Sequence, residues 1–335
     1  MKKSIIIVLS VLAAFHFYSC TSTKESGEAS GSSLIKSDAY FTGKIHPESP
    51  KKSEVFFTKN INPESLVKVY KALGASPAGK VAVKLSTGEP PNSNYLKPEL
   101  IKDLVQSLAG TIVECNTAYG GKRIKTAMHL QVAKDHGFTA IADFDLLDSE
   151  GETSLPVYGG EVLKENFVGS HFTNYNYYVV LSHFKGHQSA GYGGAIKNLS
   201  IGIASSAGKS WIHSGGNYKT GLSGNQDDFC KSMAEAGKSV SDSLKNNILY
   251  INVMNRLSVD CDCNGNPAEP EIHDIGILSS FDPVALDQAC VDLIYGASGN
   301  DKMLMRIKAR NGLLTLEHAE KIGLGTRGYK LVKID

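Results

Sequence analysis

The sequence predicts an α/β fold: a mostly parallel sheet with crossover helices, in one large domain or two intimate lobes, with a β-rich insertion around residues 145–175. Three observations carry this reading. Strand-length apolar runs alternate with helix-length amphipathic segments between residues 54 and 143, as parallel strands joined by crossover helices require. Helix starts are marked by cap-proline pairs, Asn62-Pro63 and Asp282-Pro283, where proline replaces a backbone donor that the first turn leaves unused. Finally, the continuous apolar run Tyr177-Tyr178-Val179-Val180-Leu181 has the length and composition of a strand buried on both faces.

Taken in order, Glu54 to Thr58 reads as a strand and Pro63 to Gly74 as a helix. Lys80 to Leu85 is a second strand. Pro98 to Leu108 is a helix with Leu100, Ile101, Leu104, Val105 and Leu108 at helical spacing. Thr111 to Cys115 is a third strand, Ile124 to His136 a helix, and Thr139 to Asp143 a fourth strand. Short strands with turn residues follow to Tyr175. Beyond the pivotal strand, Tyr177 to Leu181, Asp227 to Lys245 reads as a helix despite Gly237, and Ile248 to Met254 as a central strand. Asp274 to Leu278 is another strand. It leads into a helix capped by Asp282, with Leu286, Ala289, Cys290, Leu293 and Ile294 along one stripe. Helices over 301–309 and 315–322 and a strand over 329–334 close the chain.

The first residues are not fold. Lys2 and Lys3, the apolar Ile5 to Ala14 and the site ending in Cys20 read as a lipoprotein leader over 1–19, with Cys20 the lipidated first residue of the mature chain. Residues 20–53 are rich in Ser, Thr, Gly, Lys and Glu. Too polar to bury a core, they read as a flexible tether, leaving 54–335 as the α/β domain. The expectation is an exported lipoprotein on the periplasmic or surface face of a bacterial membrane. The chain has 35 basic and 34 acidic residues, and no basic stripe suggests nucleic acid. Of the six cysteines, Cys115 and Cys290 read as buried hydrophobes, and Cys261 and Cys263 as chemical.

After the pivotal strand, 10 of the 33 glycines fall between Gly186 and Gly224. Among them stand His183, Lys185, His187, Lys197 and His213. A glycine loop leaving a parallel strand is where α/β proteins place ligand-binding groups. Three more stretches are expected at the same sheet edge: Glu114 to Arg123 with His129 beyond it, Val259 to Asn264, and Ser279 to Asp282 with Asp287. Lys197 suits either an anion-binding cation or an amine for covalent chemistry. Cys261-Asp262-Cys263 suits a soft-metal site that borrows histidines, or a redox pair. His183 lacks the following glutamate of a zinc protease. No phosphate-binding glycine pattern and no Gly-x-Ser-x-Gly elbow occurs.

The string Gly193-Gly194-Ala195-Ile196-Lys197-Asn198-Leu199-Ser200-Ile201-Gly202 is similar to domain-of-unknown-function family 362. So are Asp262-Cys263, Gly276-Ile277-Leu278 with Asp282 to Ala289, and Asn116-Thr117-Ala118-Tyr119 with Arg123 and His129. The resemblance spans about 80–325. Many relatives carry a ferredoxin-like four-cysteine insert after the position of His213. This chain has only Cys230 there, so no iron–sulfur cluster is expected. A weaker likeness joins His187, Lys197 and His213, ten and sixteen residues apart, to nickel-pincer lactate racemases. That resemblance implies that Lys197 holds the cofactor covalently, His213 ligates nickel and His187 is an acid/base.

The resulting expectation is a membrane-tethered lipoprotein with a metal or cofactor site at the sheet edge, acting as an enzyme on a small anionic substrate. His187 and Lys197 are the catalytic candidates. Lys197, Gly193, Gly194, Asn198, Asn116 and Arg123 are the cofactor-binding candidates, and His213, His183, Cys261 and Cys263 the metal ligands. Nickel, zinc or iron would suit such donors. The alternatives are a non-catalytic lipoprotein that binds a metal or small acid, and a racemase-like isomerase.

Overall fold

Val81, Val83, Val179, Leu181, Ile251 and Val253 face one apolar layer, while Ala82, Tyr178, Val180 and Tyr250 face another. This period-two alternation with both faces buried marks a parallel sheet covered by helices on each side. The computed structural model describes residues 52–335 apart from Asn246. The expected leader, the lipidation site Cys20 and all but the last two residues of the tether lie outside the described residues.

In chain order the elements begin β1 (Ser53–Thr58), α1 (Pro63–Ala72), β2 (Val81–Lys84), α2 (Pro98–Ser107), β3 (Thr111–Glu114), α3 (Thr126–Asp135) and β4 (Phe144–Leu146). A hairpin of β5 (Glu152–Pro156) and β6 (Glu165–Gly169) follows, then β7 (Tyr177–His183). After β7 come a small hairpin, β8 (Lys185–His187) and β9 (Gly191–Gly193), and three helices, α4 (Ala195–Ser200), α5 (Ser206–His213) and α6 (Gln226–Leu244). The chain ends with β10 (Ile248–Met254), β11 (Gly276–Ser280), α7 (Pro283–Gly296), α8 (Asp301–Ala309), α9 (Leu313–Lys321) and β12 (Tyr329–Lys333).

The main sheet has eight strands in the order β12-β1-β11-β10-β7-β2-β3-β4. β11 runs antiparallel to both its neighbours, and the remaining pairings are parallel. Helices α1 and α2 supply Leu66, Val69, Ile101 and Leu104 to one layer. The other layer takes Ile196 and Leu199 from α4, Ala234 and Val240 from α6, and Leu286, Ala289 and Ile294 from α7. At about 1.5–3 kcal/mol per buried aliphatic side chain, a polar replacement of Val179 or Leu181 in the middle of β7 would break the layer that α1 and α2 cover. The described residues cluster as one compact unit rather than two lobes. None of their helices is long and apolar enough to cross a membrane.

Two local expectations are corrected. The strand expected over 139–143 is a short 3₁₀ turn, Phe138–Ala140, and the edge strand begins only at Phe144. The segment expected to be a loop from Ser182 to His213 contains the β8–β9 hairpin, α4 and α5. One topological feature positions the site. From β2 the chain moves through α2 to β3 on one side, whereas β7 leads through α4–α6 to β10 on the other. β2 and β7 are neighbours, so their C-terminal ends bound a crevice where the winding direction reverses. Open α/β sheets bind ligands at such switch points.

Candidate functional site

A cavity of about 610 Å³ opens at the C-terminal ends of β2 and β7, lined among others by Lys84, Lys185, His187, Lys197, Lys209 and His213. Asn198 ties its floor together. Its Nδ2 donates to the carbonyls of Lys84 and Leu181 and to Ser182 Oγ, each at 3.1 Å, and its Oδ1 accepts from Lys84 Nζ at 2.9 Å. One α4 side chain therefore holds both strand ends in register. Lys84, 1 % exposed, also donates to the carbonyl of Leu85. Burial lowers its pKa to about 8, with Glu114 opposing the shift.

Helix α4 starts at Gly194 because of a carboxylate far along the chain. Asp287 Oδ1 accepts from the Ala195 N–H at 2.7 Å and Oδ2 from the Ile196 N–H at 2.9 Å. A Cβ on Gly194 would lie 2.3 Å from Asp287 Oδ1, so only glycine admits this approach. Asn252 Nδ2 braces the same oxygen at 2.7 Å. Burial raises the Asp287 pKa to about 6 against these three donors.

On this helix stands Lys197. Its ammonium has no hydrogen-bond or ion-pair partner among the described residues, and bare Gly193 leaves space for its stem. Burial, reinforced by Lys185 and Lys84, lowers its pKa to about 7. An amine poised there is nucleophilic at neutral pH. His213, at the end of α5, stacks on Phe229 with ring centroids 4.1 Å apart, and its nitrogens have no partner among the described residues. Burial, with Lys197 and Lys209 nearby, lowers its pKa to about 3, which keeps the ring neutral.

His187 has a fixed tautomer. Its Nδ1 accepts backbone N–H groups from Ser189 at 3.2 Å and Ala190 at 2.9 Å, so the neutral ring carries its proton on Nε2. Burial first, then the positive charge of Lys197, holds its pKa well below the ordinary histidine value. Nε2 lies 3.9 Å from Cys263 Sγ. His187, Cys261 and Cys263 form a cluster whose donor atoms lie within 4.8 Å of one another and could hold a metal ion. Cys261 and Cys263 are bonded to each other as a disulfide, so ligation would require reduction and loss of the Nε2 proton.

His183 stands apart from that cluster. Its Nδ1 meets Asp262 at 2.9 Å and its Nε2 meets the carbonyl of Asn255 at 2.6 Å, which leaves no nitrogen for a metal. Lys185 joins Asp262 at 3.0 Å. Burial alone would raise the Asp262 pKa, but His183 and Lys185 hold it below the ordinary carboxylate range. Arg123, 2 % exposed, is also fully used: it bonds Glu89, Glu114, Ser86 and Tyr119. Asn116 turns to Thr126 and His129, and His129 in turn meets Glu114 at 3.0 Å. Arg123 thus reaches the cavity wall as part of a latch, and Asn116 braces that latch from behind.

The fourth expected stretch splits. β11 runs antiparallel, so Ser279 to Asp282 lie at the opposite sheet edge, where Asp282 caps α7 and accepts from Thr326. Asp287, further along that helix, does reach the site. The sequence reading passed over Lys84, Lys209 and the role of Asp287. A lysine ending an otherwise apolar strand was the available signal for Lys84.

The arrangement resembles, in backbone only, two solved structures. A lactate racemase apoprotein from Thermoanaerobacterium thermosaccharolyticum superposes with a TM-score of 0.40 at 13 % identity, over 60 % of this chain and 50 % of that one. A protein from Thermotoga maritima gives 0.38 at 13 % identity, over 77 % and 58 %. The chain spans about half the length of that racemase. No curated protein matches the sequence. A family model matches residues 81–292, from the first residue of β2 into α7 and so across the whole switch-point crevice, and the chain belongs to that family, the domain of unknown function DUF362.

Proposed function

We propose that the chain is a membrane-tethered lipoprotein whose switch-point cavity holds a covalently attached or metal-bearing cofactor on Lys197 and His213 and acts on a small anionic substrate. The observation that carries this reading is the pairing of two unpartnered basic groups in one cavity. Lys197 is an amine with its pKa lowered to about 7 and His213 an imidazole that is neutral at pH 7, and neither has a hydrogen-bond or ion-pair partner among the described residues. A half-buried lysine without a partner is costly to keep. Its retention makes sense if a ligand supplies what the protein does not.

The donor set fits such a group. Neutral imidazole suits nickel, zinc or iron, and a free amine suits covalent attachment. The racemase-like reading draws its support from the same two residues and their spacing to His187. A nickel-bearing organic group held there would supply the reversible chemistry at a hydroxy-acid carbon that amine and imidazole alone lack. The protein's own contribution is electrostatic. Lys84, Lys185 and Lys209 draw a carboxylate into a low-dielectric crevice, and His187 directs an Nε2 proton into it.

Intact mass and metal analysis of the full chain from a native-like host test the proposal. Added mass on the Lys197 peptide, or a bound metal lost on His213→Ala, supports it. An unmodified Lys197 in metal-free protein from every source sinks it. A small acid retained without turnover would then favour a non-catalytic binding protein.

A further inference from the structure

The Cys261–Cys263 bond is not needed to hold its own loop. Crosslinking residues two apart removes little entropy from the unfolded chain, because the loop closed is so short. The loop is already fastened: Asp262 pairs with His183 and Lys185, its carbonyl accepts from the Glu89 N–H at 2.7 Å, and the Gly186 N–H donates to Ser258 at 2.9 Å. Gly186 packs so tightly there that a Cβ would lie 2.1 Å from the Val259 carbonyl. A bond that adds so little rigidity, placed on a cavity wall, belongs with disulfides that react.

The two sulfurs differ. Cys261 is 3 % exposed and Cys263 is half-buried, and both line the cavity. Each has a hydrogen-bond donor suited to a thiolate. The Cys263 N–H points at Cys261 Sγ at 3.3 Å. His187, with Nδ1 occupied by two backbone N–H groups, turns its Nε2–H toward Cys263 Sγ at 3.9 Å. Cys115, Cys230 and Cys290 are free thiols buried in the fold, and Cys115, at the cavity wall, is only 1 % exposed.

We propose that Cys261 and Cys263 form a reversible thiol–disulfide exchange site that opens on the cavity and takes a dithiol reductant as its substrate. The thiolate of the incoming dithiol attacks Cys263 Sγ. The Cys261–Cys263 bond breaks, and Cys261 leaves as a thiolate held by the Cys263 N–H. The second thiol of the reductant then attacks its own sulfur in the mixed disulfide and releases Cys263 as a thiolate facing His187 Nε2–H. Two electrons pass to the protein, the reductant becomes a disulfide, and its two protons end on the protein thiols or in solvent. This inference is independent of any cofactor on Lys197.

The test treats the native full chain with millimolar dithiothreitol, then with iodoacetamide, and reads labelling peptide by peptide. Both thiols of the 261–263 peptide should label within minutes while Cys115, Cys230 and Cys290 stay unlabelled until denaturation. Glutathione disulfide should restore the bond in the folded protein. Reduction only on unfolding would overturn the proposal, as would purification with both thiols locked on a metal and unable to oxidise. In the reduced protein at pH 7, His187→Ala should slow Cys263 alkylation several-fold while His187→Gln, which keeps an N–H donor, should largely restore it. Equal rates in all three proteins would remove His187 from the mechanism.

Discussion

The carboxylate of Asp287 on α7 accepts the Ala195 N–H at 2.7 Å and so fixes the first turn of the short helix that carries Lys197. Six residues of helix are too few to be stable alone, and the capping group comes from 92 residues away. Asp287→Asn keeps one acceptor oxygen but sets an amide N–H against the Ile196 N–H. It should destabilise the protein by about 1–3 kcal/mol, the cost of a buried unsatisfied donor. Urea denaturation reads this directly. Raised to about 6 in the fold, Asp287 binds its proton more tightly folded than unfolded. It therefore costs stability as pH rises from about 4 through 6, and Asp287→Asn should flatten that part of the stability–pH curve.

Lys197 should react with small oxo acids near neutrality. With its pKa lowered to about 7, the free amine rises through pH 7 and is nearly complete by about pH 8. Incubation with pyruvate and cyanoborohydride should add mass to the Lys197 peptide with a midpoint near pH 7, whereas exposed lysines should respond only at much higher pH. Lys197→Arg should abolish the adduct. Burial disfavours its charged form, so folded protein binds fewer protons than unfolded between about pH 7 and 10.5, and stability rises with pH across that window.

The sheet was legible because its strands are continuous β-branched and aromatic runs; Ile248–Met254 was read residue for residue. Sequence pattern failed where long-range partners decide. The glycines around Gly193 suggested a loop, yet α4 forms because Asp287 caps it and Asn198 anchors it to β2 and β7. The direction of β11 escaped because no local residue encodes it; its pairing with β10 and β1 does. His183, expected as a metal ligand, and His187, expected as a catalytic residue, stand four residues apart. Asp262 and Asn255 claim the first, and the Ser189 and Ala190 N–H groups orient the second.

Acid should unfold the protein through Glu114. Burial opposes its charge, but Arg123, His129 and Lys84 hold its pKa well below the ordinary glutamate value. Its stabilisation is therefore present above about pH 4.5 and is lost as pH falls through the depressed folded value. Arg123→Met would leave Glu89 and Glu114 buried beside an apolar stem, at a cost of about 3–5 kcal/mol. Thermal melts at pH 7 should show the loss, and the Glu114→Gln, Arg123→Met double variant should recover part of it.

The tether proposal rests on the leader and Cys20, and it separates cleanly from the site chemistry. Metabolic labelling with a palmitate analogue should mark the wild-type chain and send it to the membrane fraction. Cys20→Ala should remove the label. A labelled Cys20→Ala protein, or an unlabelled wild type in a lipoprotein-processing host, would refute lipidation at this residue.

His213 and Lys197 make different demands on the same cofactor, and single substitutions should tell them apart. His213 offers only a neutral imidazole stacked on Phe229, so His213→Ala should cost metal while leaving the Lys197 amine chemically intact. Loss of metal affinity should reach at least about 10- to 100-fold, the range seen when even an outer partner of a ligand is removed. Trapping of Lys197 by an oxo acid should persist, with its midpoint moved little, because burial dominates that lysine's pKa. Lys197→Arg should do the reverse, ending covalent attachment while sparing the imidazole. If both variants lost metal and covalent mass together, attachment would depend on prior ligation, and the two groups would act as one site rather than two anchors.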